Sequence, residues 1–436
     1  MAFAIQNKSI LEETPLRRDA LALVEVGYTS LDTGNVLRKA VHLEGDTLTI
    51  AGHSHTLLPG KGVWVVGAGK CAIAGAAALE EILGERIAGG VVVDVADTTH
   101  CLPLQKITCL IGTHPRPTDV NVEAAQHIRD ILEPLQEEDI VIALVSGGGS
   151  TLLCLPHNES LTCTREAEAF DELTDAGASI EEMNTVRKHI SRARGGWLAQ
   201  YAYPARLENL VFSDVPGNDL SVIASGPTVK DETTVDQAEE IIKKYSVKSL
   251  AGVALLETPK DDECFSRTRN TLLVTNDRAL HAMEKAAQER GYTPSIVTDR
   301  YAGEAREIAA RVHKELQDAP AGSVLLYGGE STVTLGEHPG KGGRNQELAL
   351  AALSSIGEGE IIIPFASDGH DNTDHAGAVC DTITKAHAAA QGLSPDDYLR
   401  THRSYDFFEK TGDALITGNT GTNVSDIIIA LKARVR

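Results

Sequence analysis

From residue 61 onward, short apolar stretches rich in valine and isoleucine alternate with glycine-bearing turns and longer amphipathic stretches. Residues 63–66, 90–95, 107–112, 140–145 and 209–212 are continuous apolar runs of strand length, the pattern of strands buried on both faces. The stretches between them, 72–83, 122–132, 166–176 and 184–202, carry helical periodicity. Strictly alternating strands and helices predict right-handed βαβ units and a doubly wound, parallel sheet. Residues 14–40 are expected to form an amphipathic helix pair covering that sheet. The rhythm breaks over the acid-rich, mixed segment 229–268, which reads as a surface helix plus linker. A second series of strands follows at 271–275, 295–298, 323–327, 361–365 and 414–417. The fold class is therefore α/β, with an N-terminal domain over 1–265 and a smaller α/β domain over 266–436.

Composition narrows the partners. The chain has 436 residues, long enough for two cores, and a formal charge of −22. That charge argues against nucleic acid, which demands a basic footprint. A small anionic substrate would instead need a local basic cluster. The seven cysteines show no metal spacing and read as reduced, small apolar residues of a cytoplasmic protein. No apolar run approaches the roughly 18 residues needed to span a membrane, so no membrane partner is expected. Assembly into a homo-oligomer is left open.

Two strand-to-glycine junctions stand out. Strand 140–145 stops at Ser146-Gly147-Gly148-Gly149-Ser150, and three glycines in a row are poor core and costly to order. Such a loop lets backbone N–H groups approach an anion at a helix start, with Ser150 as the expected cap. The other junction, Gly67-Ala68-Gly69-Lys70-Cys71-Ala72, matches the dinucleotide fingerprint, with Asp94 about twenty residues on. It supports an NAD(P)-dependent enzyme as a competing reading. Lys70 at the first helical turn points instead to a phosphate or carboxylate needing a full countercharge.

The local basic cluster is present. No acid occurs between Met183 and Glu208, and this segment holds Arg187, Lys188, Arg192 and Arg194. With Val186, Ile190 and Trp197 buried on a continuous helix, Lys188 and Arg192 would share another face. His189 reads as structural. Asp214, after strand 209–212, stands where doubly wound folds bind ligands and would hold Mg²⁺ or take a substrate proton. In the second domain, Arg344 sits at the mouth of the loop Gly340-Lys341-Gly342-Gly343, suited to clamp phosphoryl oxygens. Asp368, Asp371 and Asp374 cluster after strand 361–365, as oxygen ligands for Mg²⁺ or as turn caps.

The stretches 67–70 (GAGK), 144–150 (LVSGGGS), 184–196, 213–228, 342–353 and 411–427, in that order, resemble the glycerate 2-kinase family, whose C-terminal part is the MOFRL domain. The resemblance implies a Rossmann-like α/β/α domain plus a smaller α/β domain with the active site in the cleft between them. It also implies ATP- and Mg²⁺-dependent phosphorylation of D-glycerate at the 2-hydroxyl, with Lys70 and Arg344 at the catalytic lysine and arginine positions. Departures are the segment His114-Pro115-Arg116-Pro117-Thr118-Asp119, a shorter acidic loop at 367–377, and Asn419 in place of a proline. On this reading Gly67, Gly69 and Ser146–Ser150 cradle ATP phosphates, and Arg187, Lys188 or Arg192 holds the acceptor's carboxylate. Asp214 serves as base, with Asp214 or Asp368 as metal ligand. The alternatives are an NAD(P)-dependent hydroxypyruvate reductase, a kinase of a related aldonic acid, and a non-catalytic sugar-phosphate-binding regulator.

Overall fold

The computed structural model describes residues 5–434 except 96–103, 159, 214, 216, 337 and 338. The chain divides into two compact units, one of residues 33–274 and one of 1–32 with 275–436.

In the 33–274 unit, β1 (Val41–Glu44), β2 (Thr47–Ile50) and β3 (His53–Thr56) form a small antiparallel sheet. The main sheet contains β4 (Val63–Ala68), β5 (Ile87–Val95), β6 (Ile107–Gly112), β7 (Ile140–Val145), β8 (Arg206–Phe212) and β9 (Thr268–Val274). All its pairings are parallel, in the order β6-β5-β4-β7-β8-β9. Numbered within the sheet this is 3-2-1-4-5-6, the dinucleotide-fold order, whose direction of winding reverses between β4 and β7. Alternate residues serve opposite faces. Val66 and Ala68 join the cluster that includes Ala124, Ile128 and Leu198 from the helices Asp119–Leu132 and Trp197–Ala202. On the other face, Gly75 of the helix Ala72–Leu83 packs against Leu144 so closely that a Cβ there would lie 2.7 Å from Leu144 Cδ1. Helices on both faces of a buried parallel sheet make the expected three layers.

The second unit is built on β10 (Thr293–Glu304), β11 (Ser323–Thr332), β12 (Glu360–Ala366), β13 (Gly377–Ala378), β14 (Cys380–Asp381), β15 (Ala414–Leu415) and β16 (Asp426–Lys432). Its sheet is mixed: β10 and β11 are parallel, whereas β16 lies antiparallel between β11 and β12. Helices Ala305–Asp318 and Arg344–Leu353 supply Ile308, Val312, Leu348 and Leu353 to its core.

The units depart from the expected 1–265 and 266–436 in two ways. The strand expected at 271–275 in the second domain is Thr268–Val274, the edge of the first sheet, beside β8. The helix Pro15–Leu31 belongs with 275–436, while Thr33–Ala40 lies in the other unit, so 14–40 is not one helix pair. Buried Arg17 explains the attachment: its guanidinium binds both oxygens of Asp381 at 2.7 Å each and Asp413 at 2.9 Å. Tyr28 adds a hydrogen bond from its hydroxyl to the Ala366 carbonyl at 2.8 Å. No helix among the described residues is long and apolar enough to cross a membrane.

The expected helix 184–202 is two helices, Ile180–His189 and Trp197–Ala202. Between them Gly195 and Gly196 adopt φ of 60° and 93°, outside helical conformation. Among the described cysteines, Cys71, Cys154, Cys163 and Cys380 are buried, and Cys109 and Cys264 half-buried.

Candidate active site

The two glycine junctions lie side by side at the point where the 33–274 sheet reverses, and they are locked together. The N–H of Ser146 donates to Ala68 O at 3.1 Å, and that of Lys70 to Gly147 O at 3.0 Å. Gly69 has φ +135°, and a Cβ there would fall 2.0 Å from Ser146 Oγ, so only glycine allows this approach. The amides opening the helix Ala72–Leu83 are already used. Cys71 donates to Ser146 Oγ at 3.3 Å, Ala72 to Gly69 O at 3.0 Å and Ile73 to Asp94 Oδ2 at 3.0 Å. Burial raises the pKa of Asp94 to about 6 despite these donors. Gly67 lies within β4, packed against Leu144 and Val92. Gly67 and Gly69 therefore shape the turn rather than offer amides to a phosphate, and what the turn presents is the Lys70 side chain. Asp94, an expected ribose ligand in the reductase reading, is buried and spent on capping that helix.

The Ser146–Ser150 loop differs. It leads into a single helical turn, Gly149–Leu152, whose cap is Gly148 at φ 81° rather than Ser150. The Gly149 amide closes onto Ser146 O at 3.1 Å. Among the described residues the amides of Gly147, Gly148 and Ser150 have no acceptor. A Cβ on Gly148 would lie 3.4 Å from His114 and 3.7 Å from Lys70 Cγ, so both side chains flank the loop. Ser150 Oγ joins Ser225 Oγ at 2.9 Å, which donates to Asn184 Oδ1 at 2.8 Å.

The expected cations are not arranged as the continuous helix implied. Lys188 is buried in an ion pair with Asp231 at 3.0 Å. Burial alone would raise the pKa of Asp231, yet the Lys188 ammonium holds it below the usual carboxylate range. Arg192 is exposed beyond the helix end, so the two do not share a face. Half-buried Arg187 stands 4.0 Å over the Phe170 ring and has no carboxylate partner among the described residues. Burial, then the charge of Arg194, lowers its pKa. Partial burial with the charges of Lys70 and Arg187 also lowers the pKa of His114. Arg194, expected only as part of the basic segment, donates through Nε to the Ser150 carbonyl at 2.7 Å. The only sign of His114 in the sequence is its place in the departing proline segment. His189 is structural, buried with Nδ1 2.8 Å from Thr185 O and Nε2 3.1 Å from Glu257. Asp214 lies outside the described residues.

In the second unit Arg344 opens its helix rather than preceding it, and its Nε donates to Asp426 at 2.5 Å while Nη1 meets Glu330. Burial works against its charge, but Asp426 and Glu330 outweigh burial and raise its pKa. The start of this helix is capped by Asp371, which accepts the N–H groups of Asn345 at 3.1 Å and Gln346 at 2.8 Å. Burial raises Asp371 and Asp426 to about 6. Arg344 edges a cavity of ≈ 510 Å³ with Ser331, Val333, Glu347 and Ser404.

Asp368 is half-buried at the end of β12 and accepts the His370 N–H at 3.0 Å. Among the described residues the cluster with three metal-ligand atoms in reach is Glu13, His387 and Asp413, which the Arg17 guanidinium already neutralises. Asp368 contributes a carboxylate, the donor type that Mg²⁺ takes alongside substrate phosphates.

Residues 19–258 match the family model described as domain of unknown function DUF4147, and residues 323–426 the MOFRL family. The chain is 35% identical to a glycerate 2-kinase of Pyrococcus horikoshii, covering 95% of this chain and 97% of that one. It is 40% identical to a putative hydroxypyruvate reductase of Agrobacterium vitis, over 83% and 85% of the two chains. The crystal structure of glycerate kinase from Thermotoga maritima superposes with a TM-score of 0.83 at 34% identity, covering 95% of this chain and 99% of that one.

Proposed function

The chain belongs to the DUF4147 and MOFRL family of glycerate kinases, and on that premise we propose that it phosphorylates D-glycerate at the 2-hydroxyl with ATP, releasing ADP. The observation that carries this reading is the Ser146–Ser150 loop, with open amides at Gly147, Gly148 and Ser150, beside Lys70 and His114. Open amides with flanking cations suit an anionic group that gains charge during reaction.

In the reaction the glycerate 2-oxygen forms a bond to the γ-phosphorus as the bond to the β,γ-bridging oxygen breaks. The hydroxyl proton passes to a base, and the departing oxygen leaves as ADP. Catalysis of such a loose transition state is chiefly positioning and charge neutralisation. Lys70 and Arg344 supply positive charge, and the loop amides hold phosphate oxygens. Of the three cations expected for the acceptor's carboxylate, Arg187 alone is neither paired in the interior nor fully in solvent. Asp214 is the proposed base. Mg²⁺, held by Asp214 or Asp368 together with the phosphates, would neutralise charge on the nucleotide.

The reductase reading is weaker, because the amides and the acid it needs are committed to holding the turn after β4. ADP release measured with D-glycerate, and abolished by Lys70→Ala without loss of folding, tests the proposal. Turnover of Lys70→Ala near the unsubstituted level would overturn the assignment of Lys70.

A further inference from the structure

Ala224, Ser225 and Gly226 follow one another in the left-handed region, with φ of 50°, 59° and 61°. Glycine adopts that conformation freely, whereas a Cβ makes it costly. Among the described residues, Ala224–Ser225 is the only place where two successive non-glycine residues adopt it. Such strain persists only where the surroundings enforce it, and it gathers at sites where a side chain must be aimed. The surroundings here are firm. Ile223 and Ala224 pack with Val145 and Val211, near the ends of β7 and β8. The carbonyls of Ser225, Gly226 and Pro227 accept the N–H groups of Gly195, Gly196 and Leu198 at 2.9, 2.8 and 2.9 Å.

Both strained side chains meet the end of the glycine loop. A Cβ on Gly149 would lie 2.7 Å from Ala224 Cβ, so the alanine methyl occupies the space that glycine leaves. Fully buried Ser225 places its Oγ 2.9 Å from Ser150 Oγ and donates to Asn184 Oδ1 at 2.8 Å. A hydroxyl carries one proton. That of Ser225 goes to Asn184, so Ser150 is the donor to Ser225. The Ser150 hydroxyl proton is thereby spent inside the protein. What Ser150 has left for an anion is its backbone N–H, which has no acceptor among the described residues.

We infer that Ser225 is a positioning residue, which through the Ser150 hydroxyl holds the Ser150 N–H toward the phosphate that the Gly147 and Gly148 amides bind. The left-handed backbone at Ala224 and Ser225 is what aims it. The inference rests on the proposed role of this loop in holding ATP phosphates.

ATP binding to the full chain, measured by calorimetry without an acceptor, tests it without requiring turnover. Ser225→Ala and Ser150→Ala are each expected to weaken ATP binding about tenfold, the loss of one well-placed phosphate contact. Because both act through one bond, the double variant is expected to be no weaker than either. Ser225→Gly removes the hydroxyl and the backbone strain together. It is expected to fold at least as well as Ser225→Ala and to bind ATP as poorly. A purely structural residue would shift the denaturation midpoint alone, so unchanged ATP affinity in the folded Ser225 variants overturns the inference. An additive loss of about a hundredfold in the double variant overturns it too. Should the Ser225 variants fail to fold, Ser150→Ala, which breaks the same bond, decides alone. Weakened ATP binding in the variants of a chain without glycerate phosphorylation would uphold the positioning and reject the kinase. Glycerate phosphorylation with equal ATP affinity in every variant would do the reverse.

Discussion

Arg194 donates through Nε to the carbonyl oxygen of Ser150 at 2.7 Å, while its terminal nitrogen pairs with Glu166 at 2.5 Å. Both partners of that ion pair are buried, so one side chain ties the end of the glycine loop to the helix Cys163–Asp175. Arg194→Ala strands the Glu166 charge and is expected to cost ~3–5 kcal/mol in chemical denaturation. Arg194→Lys keeps a charge but not the planar fork, and is expected to lower kcat/KM about tenfold or more with a smaller loss of stability. Equal activity in Arg194→Lys and the unsubstituted chain would show that loop position does not limit turnover.

Two neighbouring cations separate structure from binding. Lys188→Met leaves Asp231 unpaired in the interior and is expected to lower stability by ~3–5 kcal/mol, with KM for glycerate nearly unchanged in the folded fraction. Arg187→Met removes a cation without a carboxylate partner among the described residues. It is expected to raise KM for glycerate about tenfold or more with little change in the denaturation midpoint. The opposite pattern would exchange their roles.

Asp94 has a pH signature. Its folded pKa, raised to about 6 from 3.8, lies above the unfolded value. Between about pH 4 and pH 6 the folded carboxyl keeps its proton longer than the unfolded one, so the native state binds more protons and stability falls as pH rises. Its contribution falls by ~3 kcal/mol across that window and is flat above it. Asp94→Asn keeps an acceptor for the Ile73 N–H but does not titrate. The stability of the unsubstituted chain relative to Asp94→Asn is therefore expected to decline from about pH 4 to pH 6, read from urea midpoints. Parallel curves would contradict the shift.

Much of the first sheet was legible because strands buried on both faces are continuous apolar runs, as in 140–145. The strand expected at 271–275 joins the first sheet rather than the second, because strand character says nothing of which sheet a strand joins; only its pairing with β8 decides. The central strand Asp426–Lys432 is not among the strands expected from sequence, although its residues 427–431 are uniformly apolar. The basic segment was legible as composition but not as geometry. Gly195 and Gly196 break the helix, and the partner of Lys188, Asp231, lies 43 residues away. The amides of the turn after β4 match a fingerprint, yet their acceptors come from elsewhere, Ser146 and Gly147 from the loop after β7 and Asp94 from β5.

The central claim is a phosphoryl transfer to one hydroxyl of one acid. Phosphorus NMR of the purified chain with ATP, Mg²⁺ and D-glycerate tests it most directly. The account predicts stoichiometric ADP and 2-phosphoglycerate, both lost in Lys70→Ala and Arg344→Ala. Formation of 3-phosphoglycerate, or no phosphorylated product while the same protein oxidises NADH with hydroxypyruvate, would contradict it.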